Sequence, residues 1–271
     1  MTDAAEPALP AAFSLVGEVA LVTGAGSPTG IGMATALVLG QLGAQVAVAA
    51  TTARIHERAA ELTARGIVAT GHIADLTDEQ QVTAMVSQVR GRHGQPATIV
   101  VNNAGMISVG QAAEAGAVGD LDLSTWHAGL ARNLDTAFLV SRATLPAMVD
   151  SGYGRIVNVA SVTGPVMAMR NEPVYAAAKA ALVGLTRAIA LDAAPRGVTA
   201  NAVAPGWIAT GSQTDHEYAQ GLATPMGRSA LPSEVAAAVA WLCTPGAAYV
   251  TGQCLVVDGG NSIAEERGPL G

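Results

Sequence analysis

Short apolar, β-branched runs alternate along the chain with longer stretches in which apolar positions recur at helical spacing. The runs at 19–23, 45–49, 68–73, 99–102, 155–160, 199–203 and 253–257 predict strands, and helical patterns fill the gaps. Thr77 with Gln80 has the form of a capping box opening a helix to about Arg92, and Gly43 and Gly66 stand where helix C-termini are expected. Ala20-Leu21-Val22 and Ile99-Val100-Val101 are apolar on successive residues, so both faces of these strands must be covered. The pattern therefore predicts a single doubly wound α/β domain over residues 13–271, with a parallel seven-stranded sheet between two helix layers. Residues 1–12, with Asp3, Glu6, Pro7 and Pro10, read as a disordered extension lacking the basic start and apolar stretch of a secretory signal.

Composition agrees with that picture and narrows the partners. Half of the 271 residues are hydrophobic and 13% are charged, enough to bury one large core. A net charge of −7 offers no footprint for a nucleic acid or an anionic membrane, which leaves small molecules or soluble proteins as partners. No uninterrupted apolar run approaches the roughly 18 to 20 residues of a spanning helix. Cys243 and Cys254 lack CxxC spacing and clustered histidines, so they read as reduced thiols of a cytoplasmic protein with no metal site.

In doubly wound sheets ligands bind beyond the carboxyl ends of the strands. Directly after the first strand comes Thr23-Gly24-Ala25-Gly26-Ser27-Pro28-Thr29-Gly30-Ile31-Gly32, running into a helix that starts near Ile31. Glycine removes the Cβ that would hold a phosphate away, and backbone N–H groups at a helix N-terminus attract it. This placement, characteristic of a Rossmann-type domain, makes Gly24, Ser27, Thr29, Gly30, Ile31 and Gly32 candidate pyrophosphate ligands. An NAD-selective site carries a carboxylate about 20 residues on. Here Ala49-Ala50-Thr51-Thr52-Ala53-Arg54 has none, and Thr51, Thr52 and Arg54 suit a 2′-phosphate, which favours NADP while leaving NAD open.

Ser161 follows the fifth strand, and Tyr175 and Lys179 stand at i and i+4 in Tyr175-Ala176-Ala177-Ala178-Lys179, on one helical face. Reducing a ketone puts negative charge on its oxygen, so a nearby acid must deliver a proton. An ammonium about 4 Å from a phenol, at an effective dielectric near 20, is worth up to about 4 kcal/mol and brings tyrosine into working range. Ser161 can hold the carbonyl oxygen beside that phenol. Lys179 is the sole lysine, and one placed at random would fall four residues after one of the four tyrosines in about 4 of 271 positions.

Together these residues resemble the classical short-chain dehydrogenase/reductase family over about residues 15–262, and within it the 3-oxoacyl-carrier-protein reductases. The resemblance rests on the glycine turn, Asp75-Leu76, Asn102-Asn103-Ala104-Gly105, Asn133, Ser161, the Tyr175/Lys179 pair, Pro205-Gly206 and the stretch from Tyr249 to Gly260. It implies that Asp75 and Leu76 meet the adenine, that Asn103, Ala104 and Gly105 line the cofactor cleft, and that Lys179 also grips the nicotinamide ribose. It further implies that Asn133 holds a proton-relay water and that Pro205, Gly206, Ile208 and Thr210 close over the nicotinamide. A homotetramer acting on a small molecule follows from the same likeness. The family turn has three residues between its first two glycines, whereas five, Ala25 to Thr29, lie between Gly24 and Gly30 here. The basic residue that many NADP-using relatives carry in that loop is also missing.

For substrate, Met106, Val162, Met167 and Trp207, with Tyr218 or Met226, suggest an apolar pocket for an aryl or alkyl ketone. The stretch 212–219, with Asp215, His216 and Glu217, reads as a solvated loop; contact with a cationic amino alcohol is its lesser reading. A carrier-protein reductase is the alternative activity, disfavoured by an acidic chain facing an acidic carrier. A non-catalytic dinucleotide sensor is the alternative of another class, disfavoured by an intact proton donor.

Overall fold

A computed structural model describes residues 9–105 and 116–265. Each strand but the last is followed by a helix or helices that return the chain in the same direction. The order is β1 (Val19–Thr23), α1 (Ile31–Gln41), β2 (Gln45–Ala50), α2 (Arg54–Thr63), β3 (Ala69–Ile73), α3 (Glu79–His93) and β4 (Ile99–Asn102). The second half continues with α4 (Leu123–Leu130), α5 (Thr136–Ser151), β5 (Gly154–Val159), α6 (Pro173–Ala193), β6 (Val198–Pro205), α7 (Asp215–Leu222), α8 (Pro232–Cys243) and β7 (Cys254–Val257). All seven strands pair in parallel in the order β3-β2-β1-β4-β5-β6-β7, the doubly wound sheet that the sequence predicts.

Strand periodicity divides the core into two layers. Ala20, Val22, Val46, Val48 and Val101 face one side, where Met33 and Leu39 of α1 and Val235, Val239 and Leu242 of α8 cover them. Val19, Leu21, Ala47 and Val100 face the other, against Val82 and Met85 of α3, Met148 of α5 and Ile189 of α6. Fully buried leucines such as Leu21 and Leu39 each contribute about 1.5–3 kcal/mol by leaving water. Strand order reverses between β1 and β4, so the crevice for a ligand opens where Thr23 and Asn102 end.

Several details differ from the sequence expectation. The N-cap of α3 is Asp78, whose carboxylate accepts from the N–H groups of Gln80 and Gln81. Thr77 lies one residue outside this cap, and its hydroxyl donates instead to Asp75 Oδ1 at 2.7 Å. Gly43 and Gly66 do take positive φ, 102° and 81°, past the ends of α1 and α2. The 3₁₀ turn Ala11–Phe13 packs against a second one at Pro245–Ala247, which pins part of the expected N-terminal extension; residues 1–8 of it lie outside the described residues. The stretch 212–219 is not a loop throughout, since α7 starts at Asp215 with a capping box between Thr214 and Glu217. Helix α6, extended to Arg196, is long and apolar enough to cross a membrane, with mean hydropathy 1.5, but it packs on the sheet through Val174, Leu182, Ile189 and Ala193.

Candidate active site

The glycine turn is built around contacts between β1 and β4. Thr23 Oγ1 donates to the Val101 carbonyl and accepts from the N–H groups of Asn103 and Ala104 at 3.1 and 3.0 Å. Asn103 Nδ2 donates back to the carbonyls of Thr23 and Gly24, both at 3.1 Å. These contacts require two glycines. A Cβ on Gly24, whose φ is +68°, would stand 2.8 Å from the Ala104 backbone, and one on Gly32 would stand 2.6 Å from Asn103 Nδ2. Asn103 and Ala104 thus lock the turn from beneath, while Gly105 continues at the mouth of the crevice.

Gly30 is the N-cap of α1, and no side chain caps that helix, so the first-turn N–H groups, including those of Ile31 and Gly32, present the positive end of the helix dipole to the crevice. The lengthened loop has its own internal order: Gly30 N–H donates to the Ser27 carbonyl, and Thr29 Oγ1 accepts from Gly211 N–H at 3.1 Å. Thr29 therefore reaches across to the far wall of the crevice, and exposed Ser27 remains at the loop tip. Thr51, Thr52 and Arg54 are exposed just past β2, where Gly26 approaches Ala50. Beyond β3, Asp75 is exposed with Oδ1 occupied by Thr77, and Leu76 is buried.

The proton-transfer residues meet at the carboxyl ends of β4, β5 and β6. Ser161 follows β5; its hydroxyl accepts from Thr163 N–H at 3.1 Å and lines the same cavity as the Tyr175 phenol. Tyr175 and Lys179 share one face of α6, with the Lys179 Nζ 5.6 Å from the tyrosine ring centroid. Lys179 is buried and donates to the Val159 carbonyl at 3.0 Å, which leaves two of its N–H groups for other acceptors. Asn133 sits in a π-helical turn, Ala131–Asp135, between α4 and α5. Its Nδ2 donates to the Gly129 carbonyl, while its buried Oδ1 takes no protein donor and lies 3.0 Å from where a Cβ on Gly105 would be.

Electrostatics modify the expected division of labour. Burial is the largest influence on Tyr175 and holds its phenol above the usual range; the Ser161 hydrogen bond opposes this, and the Glu172 and Glu217 carboxylates add to it. Burial pushes Lys179 down to about 8. Loss of hydration thus works against both charged forms in the free protein, and the simple expectation that Lys179 alone acidifies Tyr175 is not met.

A cavity of about 180 Å³ adjoins Ser161 and Tyr175, walled by Val162, Met169, Trp207 and Ile208 together with the polar Thr163, Thr210 and Glu217. Val162 and Trp207 are where the sequence suggested. Met167 is not: Gly164, at φ +109°, and its bond to the Met167 carbonyl turn that residue back, and the Met167 sulfur accepts from Asn261. Met169 occupies the wall instead. Tyr218 and Met226 are more than half exposed and do not line the cavity, and Met106 lies outside the described residues. Pro205 ends β6, and Gly206 to Thr210 cross the cavity, tied at Gly206 to Val257 and at Trp207 and Ala209 to Ala230.

Uncapped first-turn N–H groups, the glycine turn, the spare donors of Lys179 and the orphaned Asn133 carbonyl fit a nicotinamide dinucleotide laid along the strand ends. A family model described as "Enoyl-(Acyl carrier protein) reductase" matches residues 24–262. The 3-oxoacyl-[acyl-carrier-protein] reductase FabG of Pseudomonas aeruginosa is 40% identical over 92% of this chain and 98% of its own. The chain belongs to the short-chain dehydrogenase/reductase family. It is an NAD(P)-dependent oxidoreductase acting on CH–OH groups. Galactitol 2-dehydrogenase (L-tagatose-forming) of Cereibacter sphaeroides, another relative, is 38% identical over 93% of this chain and 97% of its own. Among solved structures, a protein assigned as an NAD(P)-dependent gluconate 5-dehydrogenase from Beutenbergia cavernae, with NADP at low occupancy, superposes with a TM-score of 0.84. That structure is 38% identical, over 93% of this chain and all of the other. A protein assigned as a gluconate dehydrogenase from Agrobacterium tumefaciens gives 0.86 at 30% identity, over 94% of this chain and all of the other.

Proposed function

We propose that the enzyme reduces a small, mostly apolar aryl or amino ketone to its secondary alcohol, or runs the reverse, using NADP in preference to NAD. The observation that carries this reading is that the Tyr175 phenol and Ser161 together line a cavity of about 180 Å³ whose other walls include Val162, Met169, Trp207 and Ile208. The bound nicotinamide supplies the hydride, or accepts it in the oxidation. Ser161 holds the carbonyl oxygen beside Tyr175, and Tyr175 delivers the proton as negative charge develops on that oxygen. Lys179, anchored on Val159, holds the nicotinamide ribose and stabilises the phenolate left behind. Asn133 Oδ1 binds a water through which the proton is replaced from solvent.

On the cofactor side, Gly24, Ser27, Gly30, Ile31 and Gly32 serve the pyrophosphate, and Thr29 joins this loop to the segment closing over the nicotinamide. Thr51, Thr52 and Arg54 receive the 2′-phosphate; Asp75 and Leu76 bound the adenine site; Asn103, Ala104 and Gly105 line the cleft; and Pro205, Gly206, Ile208 and Thr210 cover the nicotinamide. The enzyme works as a cytoplasmic homotetramer. Support for assembly comes from an exposed apolar edge formed by Leu255 and Val256 of β7 with Tyr249 and Ile263 nearby.

A carrier-protein reductase is the second reading, favoured by the 40% identity to the Pseudomonas aeruginosa protein. Turnover of free ketones, alcohols and acyl-carrier substrates, each with NADPH/NADP and NADH/NAD, decides among the readings. Free ketones should react, faster with NADPH. Much faster turnover of carrier-bound substrate than of a free ketone of equal chain length would overturn the small-molecule reading, and dinucleotide binding without turnover of any substrate would overturn the enzymatic one.

A further inference from the structure

Among the described residues lining the cavity beside Tyr175, Glu217 is the one charged side chain. It is held in place rather than free to swing away. Glu217 Oε2 accepts from the Thr214 N–H at 2.7 Å and from the Thr214 hydroxyl at 3.0 Å, and Thr214 Oγ1 caps the Glu217 N–H at 3.2 Å. The cap leaves the second carboxylate oxygen, Oε1, unused, and among the described residues Glu217 forms no salt bridge. The charge reaches the reacting end of the cavity, where it adds a small part, after burial and Glu172, to what holds the Tyr175 phenol above its usual range.

The rest of the wall limits what such a carboxylate could serve. Val162, Met169 and Ile208 offer no polar side chain and Trp207 offers an aromatic surface, while Ser161, Thr163 and Thr210 contribute uncharged hydroxyls. Hydroxyls of a substrate laid along Val162, Met169, Trp207 and Ile208 would find no side-chain partner there, at a cost for each group left unpaired. A single protonated amine needs only one carboxylate and gains from an aromatic face. Anionic substrates would meet repulsion.

We infer that Glu217 selects substrates carrying a protonated amine beside the reacting carbon: an amino ketone in the reduction and the matching amino alcohol in the reverse. This deepens the carbonyl-reductase reading and rests on it. The amine keeps its proton throughout; hydride goes to the carbonyl carbon and the Tyr175 proton to its oxygen.

The test compares kcat/KM for an amino ketone with that for its carbon isostere, a neutral ketone of the same shape, in the wild type and in Glu217→Gln. Gln still caps α7, because the capping box accepts Glu or Gln at this position. The wild type should favour the amino ketone by up to about fivefold, as for a partly exposed ion pair, and the ratio should collapse towards one in Glu217→Gln. A simple alkylammonium ion should compete with the neutral ketone in the wild type and lose potency in the variant. A wild-type ratio near one, a ratio that survives Glu217→Gln, or preference for a polyhydroxylated ketone over both substrates would overturn the inference alone. No turnover of any ketone would instead overturn the reading beneath it.

Discussion

The Lys179 ammonium lies 5.6 Å from the centre of the Tyr175 ring while its hydrogen bond goes to the Val159 carbonyl, 3.0 Å away. The lysine is therefore fixed by the end of β5 rather than by the phenol, and it acts on Tyr175 through space. Its influence lasts only while it is charged. Burial lowers Lys179 to about 8, so the ammonium is present below that pH and lost above it. In the reductive direction kcat/KM should fall as pH rises through about 8. Lys179→Arg, slower because the geometry changes, should not show this fall, since arginine does not deprotonate in that range. The same fall in the arginine variant would mean that another group titrates.

Gly32 bears on the turn rather than on the chemistry. A methyl at that position would stand 2.6 Å from Asn103 Nδ2 and 2.8 Å from the Gly24 carbonyl. Gly32→Ala should lower stability by about 1–3 kcal/mol, as for overpacking at a tight contact, and weaken dinucleotide binding. Urea unfolding and a fluorescence titration with NADPH check both effects. Unchanged stability and affinity would show that the turn relaxes freely.

A second pH effect sits away from the active site. His72 and His93 both point Nε2 at Thr70 Oγ1, at 2.9 and 2.7 Å, and His93 Nδ1 contacts Gln45 Oε1. Burial lowers both histidines; for His72 a Gln88 hydrogen bond works the other way, while His93, Arg92 and His56 lower it further. A histidine with a depressed folded pKa contributes stability fully above its unfolded value near 6.5, and that contribution is lost as pH falls towards and through the folded value. The urea midpoint should therefore drop between pH 7.5 and 5.5, by less in the double variant His72→Gln/His93→Gln. An equal drop in that variant would place the acid sensitivity elsewhere.

What could be read from the sequence was what local patterning encodes. Val19 to Thr23 and Ile99 to Asn102 are apolar on both faces, which only a covered parallel strand explains, and the Tyr175/Lys179 spacing fixes a shared helical face whatever surrounds it. Less was legible where distant segments meet. Thr29 and Gly211 are 182 residues apart, and nothing local announces their bond across the crevice. The π-helical turn that holds Asn133, whose Oδ1 has no donor among the described residues, looks like ordinary helix in the sequence. Met169 replaces Met167 in the cavity wall because of one positive-φ glycine, Gly164. Glu217 looked like a loop charge, although Thr214 three residues before it was a capping signal that could have placed it on a helix.

Tyr175→Phe tests the central claim most directly. It removes one hydroxyl from a half-buried ring, so folding and NADPH affinity should stay close to wild type while kcat for ketone reduction falls by at least about 100-fold, the scale of a positioned general acid. A folded variant that binds NADPH and retains turnover within a few fold of wild type would contradict the account, because some group other than the Tyr175 phenol would then be delivering the proton.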